Sequence, residues 1–88
     1  MNPSQILVVD DESEIRTLLQ EILTEEGYDV TVAADAREAR HSWRRGDVDL
    51  VLLDIWMPDT DGITLLKEWS DAGDLSCPVV MMSGHGTV

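Results

Sequence analysis

The chain has 88 residues, of which 43% are hydrophobic and 27% charged, and its formal net charge is −12 at pH 7. This composition is typical of one globular domain, and the acidic balance argues against direct binding of nucleic acid by this segment, which would need a basic face. No apolar run reaches the length of a membrane span and Cys77 stands alone, which excludes a disulfide framework and favours a cytoplasmic setting.

The chain opens with a strand pattern and then a helix pattern. An apolar, β-branched run over residues 6–9 predicts a buried strand, and it ends at two aspartates, Asp10 and Asp11. Apolar residues then recur with the spacing of one helix face, which predicts a helix over about residues 14–26 with Ser13 as its N-cap.

The next strand and helix follow the same order. Alternation over residues 28–33 predicts a half-exposed strand, and Asp35 with Glu38 three residues later is typical of a helix start. One face of this second helix carries three arginines, Arg37, Arg40 and Arg44. We favour a solvated helix face for them; the alternative is a docking surface for an acidic partner.

A carboxylate interrupts the third predicted strand. Leu50 to Ile55 is almost uninterrupted apolar sequence between Gly46 and Pro58, which predicts a strand buried on both faces, with Asp54 near its end. Since desolvating a charge costs several kcal/mol, we expect a positive group to meet this carboxylate.

A third helix and a fourth strand complete the pattern. Gly62 leads into a short helix that ends before Gly73, and residues 78–82 predict a fourth buried strand. Strands that alternate with helices through short connections predict right-handed βαβ units and a parallel α/β sheet.

Four polar side chains lie at the predicted carboxyl ends of the strands: Asp10, Asp11, Asp54 and Ser83. Functional groups of such sheets gather at these ends. Three carboxylates in one crevice need a counter-charge, and an all-oxygen ligand set favours Mg²⁺. Beside the metal an aspartate could accept a phosphoryl group as nucleophile, and Ser83 could donate a hydrogen bond to a phosphoryl oxygen.

Taken together, these motifs resemble the receiver domain of two-component response regulators. The resemblance rests on Asp10-Asp11 after the first strand, Asp54 at the end of the third, the segment from Met57 to Gly62, and Ser83-Gly84 after the fourth. It covers the whole chain. The run Met82-Ser83-Gly84-His85-Gly86-Thr87 further resembles receivers of sigma-54-dependent, nitrogen-regulation-type transcription activators.

The resemblance implies a role for each site residue. Asp54 would be phosphorylated by a partner sensor histidine kinase. Asp11, Asp54 and the backbone carbonyl of Trp56 would bind Mg²⁺, with Asp10 assisting through water. Ser83 would be the switch hydroxyl. The domain would regulate an output domain for transcription and would be a regulator, not a metabolic enzyme.

The resemblance also implies the flavodoxin-like doubly wound fold of chemotaxis receivers, with strand order 2-1-3-4-5. Residues 1–88 hold four strands and three helices of it, so we expect an incomplete receiver without its last strand, its last two helices and the lysine that ends that strand. The exposed edge of the fourth strand then predicts a homodimer or a swapped oligomer.

Three other functions remain as alternatives. A phosphorylation-independent interaction module would leave the acidic set without a role. An aspartyl-nucleophile, Mg²⁺-dependent phosphatase would have a second aspartate where Trp56 stands. We expect the Trp56 side chain either to border the site entrance or to pack as an aromatic residue of the loop. A flavodoxin would cradle phosphate in its first loop, which Asp10, Asp11 and Glu12 would repel.

Overall fold

The computed structural model describes residues 4–57, 60–73 and 77–82. Within these ranges strands and helices alternate in the order β1 (Gln5–Val9), α1 (Ser13–Glu25), β2 (Asp29–Ala33), α2 (Ala36–Arg44), β3 (Leu50–Asp54), α3 (Gly62–Asp71) and β4 (Val79–Met82). Every strand pair is parallel, and the sheet order is β2-β1-β3-β4. The predicted flavodoxin-like, doubly wound α/β fold is therefore confirmed.

The sheet register sets where the acidic residues emerge. β1 and β3 are neighbours, and Val9 pairs with Leu53. Asp10 and Asp54, the residues that follow this pair, therefore leave the sheet side by side. Both are buried.

The main core lies on one face of the sheet, under α2 and α3. Alternate residues of β1 and β3 point to that face, and Trp43 of α2 stacks on Trp69 of α3 with ring centroids 4.3 Å apart and planes 12° apart. α1 contacts β1 and β2 but contributes no buried residue and none of this core. It lies on the opposite face, where Ile6 and Val8 of β1 are buried.

Two helices begin with side-chain caps. The Asp35 carboxylate accepts a hydrogen bond from the Glu38 backbone N–H at 2.8 Å, as predicted, and that of Asp61 accepts one from the Thr64 N–H at 2.7 Å. The prediction for α1 is wrong. Its N-cap is Glu12, which makes no side-chain capping bond, and Ser13 is already its first helical residue.

Two further expectations need correction. β4 is not a buried strand, because it lies at the sheet edge and Val80 is 48% exposed. Arg40 is not simply solvated, because its guanidinium donates two hydrogen bonds to the Glu68 carboxylate on α3, at 2.7 and 2.9 Å. None of the helices in the described ranges is long and apolar enough to cross a membrane.

Candidate metal centre

Asp10 is held in place from three directions where β1 ends. Its backbone N–H donates to the Ala33 carbonyl of β2 at 3.1 Å, and its Oδ1 accepts from the Glu12 N–H at 2.8 Å. The Arg16 guanidinium of α1 donates to the Asp10 carbonyl oxygen at 2.7 Å. These bonds join the turn between β1 and α1 to β2 and to α1, and they fix the orientation of the Asp10 carboxylate.

Asp54 is the last residue of β3 and is wholly buried. Its Oδ1 accepts a hydrogen bond from the backbone N–H of Trp56 at 3.2 Å. The next residue, Ile55, donates its N–H to the Met82 carbonyl at the end of β4 at 2.9 Å. The carboxylate therefore lies at a backbone position that pairing with β4 supports.

Asp10, Asp11 and Asp54 come together as one cluster. One ligand atom from each residue lies within 4.8 Å of the others, and Asp10 and Asp54 are buried. Burial raises the pKa of Asp54, and the neighbouring charges of Asp10 and Asp11 raise it further, against the Trp56 N–H, which lowers it. The cluster therefore brings three carboxylates together and disfavours the ionised form of Asp54.

The donor set fits a hard divalent cation. All three groups are carboxylates at separations that a single ion can bridge, and Mg²⁺ is usually held by one or two carboxylates with its remaining positions on water or substrate oxygens. Such an ion would supply the counter-charge that burial of Asp54 requires. Of the predicted site residues, Ser83 lies outside the described residues, as do Pro58 and Asp59 of the following segment.

Trp56 enters the site through its backbone. Its N–H orients Asp54, and its side chain is 59% exposed, next to the site in sequence and open to solvent. The assignment of its carbonyl as a metal ligand remains a prediction. The positive group expected at Asp54 is the Mg²⁺ predicted for the acidic set, and that assignment also remains a prediction. The arginine at the cluster, Arg16, bonds the backbone carbonyl of Asp10.

The sequence indicates that Gly62 serves backbone geometry, and the structure shows the close approach that requires it. Its N–H donates to the Ile55 carbonyl at 2.8 Å, and a Cβ atom at this position would overlap the Asp54 carbonyl oxygen. α3 thus begins directly against the backbone that carries Asp54. A glycine at the first position of a helix, where glycine has no conformational advantage, was the available signal.

Comparison with known proteins places this geometry in a family. Residues 6–88 match the model described as "Response regulator receiver domain". The probable transcriptional regulator ycf27 of Porphyridium aerugineum is 40% identical over 88 residues, which is all of this chain and 36% of that protein. The putative response regulator NtrX-like of Rickettsia bellii is 37% identical over 90 residues, all of this chain and 19% of that protein. The chain thus spans about a third or less of these relatives.

Solved structures agree with the fold. The chemotaxis protein CheY4 of Vibrio cholerae superimposes with a TM-score of 0.83 at 30% identity, over 90% of this chain and 67% of that one. The beryllofluoride-activated NtrC4 receiver domain dimer gives a TM-score of 0.84 at 36% identity, over 97% of this chain and 69% of that one. The narrower resemblance to nitrogen-regulation-type receivers is not singled out, since ycf27 is as similar as the NtrX-like relative.

Proposed function

The chain belongs to the response regulator receiver domain family of two-component systems, and from that premise we propose that Asp54 is its phosphorylation site. A sensor histidine kinase would be the phosphodonor, and the modified domain would regulate an output domain that acts on transcription in the cytoplasm. The observation that carries the proposal is the position of Asp54, wholly buried at the end of β3 within the carboxylate cluster.

Asp10, Asp11, Asp54 and the Trp56 carbonyl would hold Mg²⁺, which supplies positive charge to the transferring phosphoryl group. The chain's own part is to present one carboxylate oxygen of Asp54. The Trp56 N–H fixes the rotation of this carboxylate, and the Arg16 bond to the Asp10 backbone holds the neighbouring ligand. Phosphorylation adds about −1.5 to −2 charge at this point.

Ser83 would act as the switch hydroxyl for the phosphoryl group. It follows directly after β4, whose last residue, Met82, bonds the backbone of Ile55 beside Asp54. This link supports a role for the β4 end in reading the state of Asp54. We further propose that the domain is a regulator and not a metabolic enzyme, and that the run from Met82 to Thr87 marks a nitrogen-regulation-type output.

The edge of β4 supports a separate proposal, that two copies associate through this strand. Among the described residues β4 pairs on one side only, with β3, and Val80 on it is 48% exposed; an apolar strand edge of this kind is a template for strand pairing. Sedimentation equilibrium should show a dimer that Val80→Lys weakens. A monomer at the highest attainable concentration would contradict it.

The decisive experiment for phosphorylation is intact mass after incubation with Mg²⁺ and a small-molecule phosphodonor. We expect the gain of one phosphoryl group, lost in Asp54→Asn and kept in Asp71→Asn, which makes the same change at an exposed residue of α3. Trp56 fluorescence during a Mg²⁺ titration reports the metal site independently.

Two negative outcomes have different meanings. A saturable Mg²⁺ response without mass gain would leave a metal site that does not accept phosphate. Absence of both signals would favour the phosphorylation-independent interaction module. The phosphatase alternative would require release of phosphate from a monoester substrate. It is disfavoured because Trp56 stands where such a phosphatase would have its second aspartate.

A further inference from the structure

Two charged stripes lie on neighbouring helices of this domain. The basic stripe consists of Arg37, His41 and Arg44 on α2, all exposed and spaced i, i+4 and i+7. Arg40 lies beside them, but Glu68 already binds it with two hydrogen bonds. The arginines at the two ends of the stripe lie about 10 Å apart along the helix axis.

The acidic stripe consists of Glu14, Glu21 and Glu25 on α1, all exposed. The separation of Glu14 and Glu21 is seven residues, the same as that of the two arginines of the basic stripe. Leu18 lies between them, 52% exposed, and together with both glutamates it lines a shallow cavity of about 360 Å³. The stripe is therefore a surface with charged ends and an apolar middle.

Helix stability explains only part of each stripe. Glu14 in the first turn of α1 and Arg44 in the last turn of α2 complement the dipoles of their helices. Arg37 in the first turn of α2 and Glu25 at the end of α1 oppose them. No ion pair involving Arg37, Arg44, Glu14 or Glu21 occurs within the part of the chain that the structure describes.

The fold places the two stripes on helices that a second copy could approach across the β2 edge of the sheet. α1 and α2 lie on opposite faces of the sheet, and both contact β2, which is an edge strand. A two-fold axis parallel to β2 and outside this edge would set α1 of each copy beside α2 of the other. Every contact is then made twice, and the interface closes as a dimer.

We propose that the basic stripe of α2 docks on the acidic stripe of α1 in a second copy of this chain. A nucleic acid fits less well, because the stripe offers few cations and the chain as a whole carries a charge of −12. Near 0.15 M salt the Debye length is about 8 Å, so adjacent stripes attract while the net charges of the two copies are largely screened. This contact lies at the opposite edge of the sheet from β4 and does not depend on phosphorylation.

Charge exchange tests the proposal by sedimentation equilibrium of the whole chain. One variant carries Arg37→Glu and Arg44→Glu, and the other carries Glu14→Arg and Glu21→Arg. Both variants and their reference chain also carry Val80→Lys, which weakens association through β4. Each charge variant alone opposes like charges and should stay monomeric where the reference chain dimerises. An equimolar mixture of the two restores opposite charges at both contacts and should dimerise.

A matched control separates local from net charge. Lys67→Glu on α3 makes the same charge change as Arg37→Glu, also at an exposed helix residue. We expect Arg37→Glu to raise the dimer dissociation constant at least about tenfold, since the two-fold axis repeats the substitution, and Lys67→Glu to leave it within about twofold.

Several outcomes would overturn the proposal. A mixture that stays monomeric, or a reference chain that never dimerises, removes the contact between copies. A dimer of the unchanged chain that is lost in the reference chain assigns association to β4 alone. A single-stranded DNA oligonucleotide that binds the unchanged chain, but not the Arg37→Glu, Arg44→Glu variant, assigns the basic stripe to nucleic acid.

Discussion

At the residue scale, the cluster combines one carboxylate that is costly to ionise with groups that hold it in place. Asp54 is wholly buried, and burial raises its pKa above the ordinary 3.8, with further increases from Asp10 and Asp11. The folded protein therefore binds the Asp54 proton more tightly than the unfolded chain does. Without a cation, ionisation of Asp54 should destabilise the fold as pH rises from about that ordinary value through the folded-state pKa.

The first prediction concerns Asp54→Asn without divalent ions at neutral pH. Removal of the buried charge should raise the free energy of unfolding by about 1–3 kcal/mol and reduce the fall in stability with rising pH. Urea denaturation at several pH values measures both. Asp71→Asn at an exposed site is the control, and equal effects of the two substitutions would contradict the role of burial.

The second prediction concerns Arg16, whose guanidinium bonds the Asp10 carbonyl oxygen at 2.7 Å. Arg16→Ala should lower the free energy of unfolding by about 1–2 kcal/mol, because the bond is partly buried and charge-assisted. Arg37→Ala, which removes the same charge from an exposed position, should change it by less than about 0.5 kcal/mol. Chemical denaturation of both variants decides the matter, and a small Arg16 effect would show that the bond contributes little.

At the element scale, the start of α3 lies directly on the backbone of β3. Gly62 donates its N–H to Ile55, and the absence of a Cβ lets the helix approach the Asp54 carbonyl. The other end of α3 carries Trp69, which stacks on Trp43 of α2. The position of Asp54 is thus coupled to the packing of two helices on the main core.

The third prediction is that Gly62→Ala destabilises the domain by about 1–3 kcal/mol, because backbone atoms must move to admit the methyl group. Ser70→Ala, an exposed substitution on the same helix, should be neutral or slightly stabilising. The Mg²⁺ response of Trp56 fluorescence should weaken in Gly62→Ala only. Unchanged thermal unfolding in that variant would mean that α3 can shift without cost.

At the scale of the whole molecule, a bound cation should stabilise the fold because its ligands come from separate strands. Asp10 and Asp11 follow β1, and Asp54 ends β3, so the cluster exists only when the sheet is formed. A ligand that binds only the folded state stabilises it by mass action.

The fourth prediction is therefore a rise in melting temperature with Mg²⁺, corresponding to about 2.7 kcal/mol when the ion is at a hundred times its dissociation constant. NaCl at equal ionic strength is the control. The increase should be smaller in Asp11→Asn and should fade at acidic pH, where protons compete for the carboxylates. Equal effects of the two salts would argue against a specific site.

The sequence by itself determined the order and type of the elements and the residues of the acidic cluster. Short uninterrupted apolar runs between turn signals favour parallel strands, and the residues that follow such strands meet at one sheet edge. The N-cap of α1 was misplaced because Ser13 and Glu12 are adjacent, and local preference does not separate neighbouring positions.

Only the tertiary structure decided which side chains meet across elements. The bond of Arg16 to Asp10, the pairing of Arg40 with Glu68, and the stacking of two tryptophans join helices whose relative positions no local pattern encodes. The exposure of Val80 likewise follows from the place of β4 at the sheet edge. Burial and contact are properties of the packed chain, because they depend on residues distant in sequence that a periodic pattern does not identify.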